Sequence, residues 1–380
     1  MTHTAEITLS FFNTRVAIRS DDPRHLDLFA RLYPRFVSAS TNEPANALRF
    51  SVFSNFDNIF GVPALVMGDE VHPLEEPIPL LKFHSYVMHE IQQRVDTHFL
   101  VHAGVVSRHE KGILLVGDAN FGKSTLVLTL LKRGFAFLSD ELAAISRVDG
   151  KVYPYPRYLG IRPETLKHLG LKIPNTTNDD FDSYPFNIGK HLINVESLFP
   201  GRLGSPVPIR AICILSDPKI MPEAPGTSTL RLIHLWVGPY PAAFLSELTR
   251  LNGVSNLVTN NESDPALITL TATDKVGTMD QARSLCARHG VTLVGISDRM
   301  GHKPAFDVPP RLSAISHSQA TRYLFQRFLG GREALLRATP TGRPAQLFAE
   351  LMELIGGAAC YTLSVGPLTR MTDLIDEIAG

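Results

Sequence analysis

Cysteine is scarce in this chain: Cys213, Cys286 and Cys360 are the only three in 380 residues. An odd and widely spaced set offers neither a disulfide framework nor a C-x-x-C zinc or redox pair, so a reducing compartment is expected. An excess of one charge is lacking too. Thirty-seven Lys and Arg balance 37 Asp and Glu, so no global field draws the chain to nucleic acid or to an anionic membrane, and any anion site must be local. Basic stripes interleaved with aromatics, which single-stranded nucleic acid would need, are absent. No apolar run approaches the roughly 18 residues that span a bilayer. The segment from Met1 to Ser10 has neither the basic flank nor the apolar core of a secretory signal. The expectation is a cytoplasmic protein with no membrane or nucleic-acid partner. His89-Glu90 and His109-Glu110 are followed by Gln93 and Ile113 where a zinc protease needs its second histidine.

What is present is globular. The composition is 44% hydrophobic, 19% charged and 8% aromatic, far from that of a disordered chain, and the length suits one large or two to three ordinary domains. From Ile7 to Ser20 a loose alternation predicts a strand. Asp21-Asp22-Pro23 then starts a helix carrying Leu26, Leu28, Phe29 and Leu32. A strand over Ala47 to Phe53 and a helix from about Pro79 to Thr97 complete a first block in which no residue pattern suggests chemistry.

The next stretch predicts a β-loop-α-β unit: strand Gly112 to Val116, a glycine-bearing loop, helix Lys123 to Arg133, and strand Phe135 to Leu138. Strands Leu142 to Ile145 and Val152 to Tyr155 flank Asp149-Gly150, a hairpin turn. Pro163 to Tyr184 is polar and mixed, with an exposed loop over Pro174 to Ser183, a candidate lid. Val207 to Leu215 reads as a buried strand, and the Pro- and Gly-rich Ile220 to Ser228 as a boundary. Ala266 to Thr273, Met279 to His289 and Val291 to Ile296 then predict strand, helix, strand. The C-terminus alternates helix (Gln319 to Leu329, Arg343 to Ile355), strand (Ala359 to Val365) and helix (Thr369 to Ala379).

Gly117-Asp118-Ala119-Asn120-Phe121-Gly122-Lys123-Ser124-Thr125 matches the phosphate-loop pattern G-x-x-x-x-G-K-[ST]. Its glycines let backbone N–H groups curl around phosphate oxygens, the helix N-terminus adds positive potential, Lys123 neutralises the β/γ-phosphates and Ser124 can hold Mg²⁺. ATP and Mg²⁺ are the cofactors this implies. A strand before and an apolar-faced helix after (Leu126, Val127, Leu130, Leu131) supply the required context. Geometry selects the next candidate. The helix carries the chain about 16 Å away, and the strand to Asp140 returns it about 17 Å. Asp140 and Glu141 therefore emerge at the edge of the loop.

These residues resemble the HPr kinase/phosphorylase group and its related proteins. The resemblance is carried by Val101-His102-Ala103-Gly104-Val105-Val106, the strand and phosphate loop from Gly112, Lys132-Arg133-Gly134, and Leu138-Ser139-Asp140-Glu141. It extends weakly through Pro156-Arg157-Tyr158-Leu159-Gly160-Ile161, Gly189-Lys190-His191 and Val207 to Leu215. It implies an α/β protein with a phosphoenolpyruvate-carboxykinase-like P-loop kinase core, a smaller α+β N-terminal domain and an inserted α/β element. The implied boundaries are 1–95 for the N-terminal domain, 96–220 for the core, 221–315 for the insertion, a candidate for substrate binding, and 316–380 for the rest of the core. It further implies that Asp140 accepts the proton of the acceptor hydroxyl, that His102 lies by the transferred phosphate, and that Glu141 is the second acid, near Lys123 and the metal.

Two departures follow from the same resemblance. Tyr155 or Pro156 stands where the bifunctional enzymes carry a metal-holding glutamate, and their glycine-rich, arginine-bearing phosphorylase segment is not recognisable. Forward transfer without the reverse reaction is expected. Arg157 and Arg162 are candidates for binding phosphate or substrate anions. The expected activity is ATP-dependent phosphoryl transfer to a hydroxyl of a peptide, a protein serine or a small metabolite, with the oligomeric state open, a homo-oligomer included. The alternatives are a P-loop ATPase that hydrolyses ATP and a non-catalytic nucleotide-binding or sensing module. Against the transporter type of ATPase, Asp140 follows Lys123 closely and no LSGG-type signature occurs.

Overall fold

The computed structural model describes residues 4–38, 47–53, 64–68, 70–73, 79–118, 121–172, 191–217, 231–260, 266–273, 275–300, 306–329 and 332–380. The loop expected over 174–183 and the boundary over 220–228 lie outside these residues. The architecture is mixed α/β, and the chain divides into two compact units. One comprises Met1–Gly117, Gly122–Leu215 and Pro310–Gly380; the other comprises Ser216–Pro309 with the short stretch Asp118–Phe121.

The first block does not hold one strand over Ile7 to Ser20 but a hairpin, β1 (Ala5–Phe11) and β2 (Thr14–Ser20), in register from Ala5 opposite Ser20 to Phe11 opposite Thr14. The turn escapes a sequence reading because it contains no glycine: Phe12 itself takes φ +55°, and its ring sits 4.2 Å from that of His98. Helix α1 (Pro23–Leu32) follows, with Asp22 accepting from the Arg24 N–H as its N-cap. Strands β3 (Leu48–Phe53), β4 (Ala64–Met67) and β5 (Glu70–Pro73) complete a five-stranded sheet in the order β1-β2-β3-β4-β5. Helix α2 (Pro79–Arg94) packs on it. Leu28, Phe29, Phe50, Phe83 and Val87 form its core, and that core continues without a break into Leu100, Leu142 and Tyr155.

Strands β6 (His98–Val101), β7 (Ala103–Arg108) and β8 (Lys111–Val116) lead to helix α3 (Lys123–Lys132) and strand β9 (Ala136–Ser139). Strands β10 (Ala143–Ser146) and β11 (Lys151–Tyr153) form the expected hairpin, with Gly150 at φ +67°. After β12 (Leu159–Ile161) comes α4 (Pro163–Leu169), a helix in the stretch that had read only as polar and mixed. Strand β13 (His191–Ile193), helix α5 (Val195–Leu198) and strand β14 (Val207–Ser216) close this half.

The second unit holds more than the strand, helix and strand legible in its sequence. Strand β15 (Arg231–Val237), helix α6 (Ala242–Leu248) and strand β16 (Val254–Asn260) precede β17 (Ala266–Ala272), α7 (Lys275–Arg288) and β18 (Leu293–Met300). The sheet order β16-β17-β15-β18, every pair antiparallel, is the βαββαβ arrangement of a ferredoxin-like unit. Its own core gathers Ile233, Leu235, Phe244, Ile268, Leu270 and Leu285.

The chain then returns through β19 (Leu312–Ala314), α8 (His317–Gln326), α9 (Arg332–Arg337), α10 (Pro344–Leu354), β20 (Ala359–Ser364) and α11 (Leu368–Ala379). A nine-stranded sheet now forms along the path β6-β10-β11-β14-β8-β7-β9, with β20 pairing β14 and β19. Strands β8 and β9 do not touch. Antiparallel β7 lies between them, so they run parallel to each other. Gly104 on β7 makes room for α3, since a Cβ there would lie 2.9 Å from Val127 Cγ2. Helix α3 buries Leu126, Val127, Leu128, Leu130 and Leu131, an apolar arc of about 200° that is too wide for one sheet face to cover. Helix α11 also packs on α3, and Arg133 holds it through Asp373 and Asp376 at 2.8 and 2.6 Å. Among the described residues no helix is long and apolar enough to cross a membrane.

Because the ferredoxin-like unit has a separate core, Phe244→Ala should destabilise that unit locally, by about 3–5 kcal/mol. Amide hydrogen exchange should quicken across β15 to β18 and remain unchanged in β8 and β9. Loss of protection in both regions would contradict the division.

Candidate active site

The site begins where β8 ends. Gly117 is needed there because a Cβ would come within 2.9 Å of Leu215 Cβ. Gly122, at φ +79°, turns the chain into α3 in the left-handed region, and no side chain caps the helix. Its first N–H groups and the positive end of its dipole are thus available to an anion. Lys123, 8% exposed, folds back and donates from Nζ to the Gly117 carbonyl at 2.7 Å. Phe121 is buried, and its N–H approaches the Asp118 carbonyl at 3.4 Å. Ala119 and Asn120 lie outside the described residues. Thr125 turns its carbonyl to the Thr129 hydroxyl.

Asp140 stands directly after β9. It is 6% exposed, and the Ser124 hydroxyl hydrogen-bonds its carboxyl. The helix-out, strand-back path thus brings Asp140 to Ser124 and Lys123. Its Oδ1 is buried with no hydrogen-bond partner among the described residues. Burial first, then the charge of Glu141, raises the pKa to about 6, against the opposing pull of Ser124, Lys123 and Arg157. The carboxyl is mostly ionised at pH 7, and its proton affinity lies close to that pH.

Glu141 lies between two groups. Its Oε1 is 3.2 Å from an Arg157 nitrogen and its Oε2 3.9 Å from His102 Nδ1. His102 occupies the bend between β6 and β7, and its N–H donates to the Arg327 carbonyl at 2.8 Å. Burial and the charge of Lys123 lower its pKa against the pull of Glu141, so the imidazole is neutral at pH 7. Lys123, Ser124, Asp140, Glu141, His102 and Arg157 therefore form one cluster. Arg162 is exposed and stands immediately before α4.

Three further residues bear on the site. Arg327 lies close enough to act electrostatically on His102. Tyr33 and His84, from the block that showed no chemical pattern, stand behind Arg157. No local sequence signal marks any of them, because each reaches the site only through the fold. Tyr155, which with Pro156 was expected from the resemblance to stand where a metal-holding acid would be, is 4% exposed and packed beside Phe11, Tyr33 and Phe36. Among the described residues no group of three His, Cys, Asp or Glu could hold a metal. The donors that remain, the Ser124 hydroxyl and the carboxylates of Asp140 and Glu141, are all oxygen. They suit Mg²⁺, which takes one or two protein oxygens and draws its other ligands from water and phosphate. The unpartnered Oδ1 of Asp140 calls for a partner from outside the protein, which an acceptor hydroxyl would supply.

No family model matches the chain. Among curated proteins it is similar to an HPr kinase/phosphorylase of Caldicellulosiruptor bescii, 28% identical over 142 residues that cover 37% of this chain and 40% of the relative. It is also similar to an HPr kinase/phosphorylase of a Thermoanaerobacter species, 26% identical over 88 residues, 23% of this chain and 27% of the relative. The chain spans less than half the length of these relatives. A solved structure, the Hpr(Ser) kinase/phosphatase from Coxiella burnetii, is 20% identical and covers 35% of this chain and 70% of its own, with a TM-score of 0.24.

The buried carboxyl makes stability depend on pH. Unfolded, Asp140 ionises near 3.8; folded, it ionises near 6. Its contribution is most favourable below the unfolded value, declines as pH rises between the two, and is a constant penalty of about 3 kcal/mol at most above them. Asp140→Asn should therefore match the parent near pH 4 and exceed its stability by about 1–3 kcal/mol at pH 7.5, read by chemical denaturation at both pH values. A parent more stable than the variant at pH 7.5 would contradict the assignment.

Proposed function

We propose that this chain, HPr-kinase-like by its curated relatives, is an ATP-dependent phosphotransferase acting through Mg²⁺ on a hydroxyl acceptor. The observation that carries this reading is the buried, unpartnered Asp140 Oδ1 beside Ser124 and Lys123 at the mouth of a phosphate loop. When bound, MgATP supplies the transferable phosphoryl group and a cation to offset its charge. The α3 N-terminus and Lys123 bind and orient the phosphates. Asp140 accepts the proton of the acceptor hydroxyl, a weak nucleophile that must shed it as the new bond forms. A carboxyl with a pKa near 6 does this well at neutral pH. Ser124 and Glu141 would hold the Mg²⁺, which would supply charge neutralisation there, and neutral His102 would offer a hydrogen bond toward the transferred group.

The acceptor is a hydroxyl of a protein, a peptide or a small metabolite. A protein serine is the first to test, given the HPr in the relatives' names. Transfer runs forward without the reverse, dephosphorylating reaction. A second reading, a nucleotide-binding module without turnover, draws on one observation: Tyr155 is a core residue where a metal-holding acid would stand.

Incubation with γ-labelled ATP and candidate acceptors separates the readings, because the label goes to acceptor, to water or nowhere. Lys123→Ala should abolish nucleotide-dependent turnover. Asp140→Asn should keep nucleotide affinity within a few-fold and lower transfer by about 10²–10⁴. Transfer at the parent rate in Asp140→Asn would remove the base.

A further inference from the structure

A buried polar chain connects the N-terminal block to the site. Tyr33, just past α1, places its hydroxyl 2.9 Å from Nε2 of His84 on α2. The same hydroxyl meets the guanidinium of Arg157, which pairs with Glu141 Oε1 at 3.2 Å. Tyr33 is 1% and His84 6% exposed. Chemistry fixes the direction of this chain. A guanidinium only donates, and the neighbouring Tyr155 hydroxyl also acts on Tyr33 as a donor, so the Tyr33 oxygen accepts and its O–H is left to donate to His84. The imidazole can accept because burial, then the nearby Arg157 charge, lowers its pKa to about 3 and keeps it neutral.

The guanidinium of Arg157 is already engaged within the protein: a terminal nitrogen pairs with Glu141, which matches its charge, and Tyr33 meets it from behind. Its side chain is 19% exposed, and its Nε is buried with no hydrogen-bond partner among the described residues. Glu141, by contrast, is 42% exposed, and an exposed glutamate samples several rotamers unless something holds it. We propose that Arg157 is a positioning residue: Tyr33 and His84 hold its guanidinium from behind, and it fixes the Glu141 carboxylate beside Asp140. The N-terminal block thereby sets the geometry of a site it does not line. This deepens the phosphotransferase reading and rests on it.

Tyr33→Phe tests the inference, because the ring keeps its packing against Phe11, Phe29 and Phe36 while the oxygen is lost. In the nucleotide-free full chain, hydrogen exchange at 140–142 and 157–158 should quicken at least ten-fold, with β8 unchanged. With γ-labelled ATP, Tyr33→Phe should lower kcat about ten-fold at constant KM for ATP. In a Glu141→Gln background the same change should have no further effect on kcat. His84→Gln, which can still accept from Tyr33, should restore most of the kcat lost in His84→Leu. Unaltered exchange at 140–142, or effects of Tyr33→Phe and Glu141→Gln that simply multiply, would overturn the positioning role while leaving the phosphotransferase reading intact. A parent protein that moves no label at all would overturn both.

Discussion

The structure depends on one electrostatic compromise, the burial of the Asp140 carboxyl at the mouth of an anion-binding loop. Burial and Glu141 oppose its charge, while Ser124, Lys123 and Arg157 support it. Burial and Glu141 prevail, and the supporting groups limit the rise to about 6, close to neutrality, where a proton acceptor is most useful. The surrounding fold serves that balance. Strand β7 separates β8 from β9, Gly104 lets α3 lie close on β7, and α11 covers the outer side of α3. These contacts fix the position at which β9 delivers Asp140.

Stability and activity pull in opposite directions at this residue. An ionised carboxyl with an unpartnered buried oxygen weakens the folded state, and the surrounding core makes this tolerable. Two hydrophobic clusters meet there: one runs from the N-terminal sheet to Leu142 and Tyr155, the other joins the nine-stranded sheet to α8 and α10. Strain at a functional site sustained by its surroundings is the general pattern.

Much of the site's centre was legible in the sequence, and for a simple reason. The phosphate loop is a local motif, and the distance from Lys123 to Asp140 follows from helix rise and strand rise alone, so both come from short-range geometry. The hairpin at Phe12 and Asn13 was missed because its turn has no glycine, and the positive φ of Phe12 is held by packing against His98. In the ferredoxin-like unit β15, α6 and β16 were missed. His234 breaks the apolar run of β15, α6 is only seven residues long, and β16 is half exposed. Tyr33 and His84 could not be found from sequence at all. Their meaning arises only where a helix end, a second helix and a loop more than 120 residues downstream of Tyr33 converge on one guanidinium.

The most direct test of the central claim is a crystal structure of the full chain with Mg²⁺ and a non-hydrolysable ATP analogue. The account requires the terminal phosphate over the amides between Gly117 and Thr125, with Asp140 Oδ1 facing the side from which an acceptor oxygen would approach. A nucleotide bound elsewhere, or a terminal phosphate screened from Asp140 by the protein's own side chains, would contradict it.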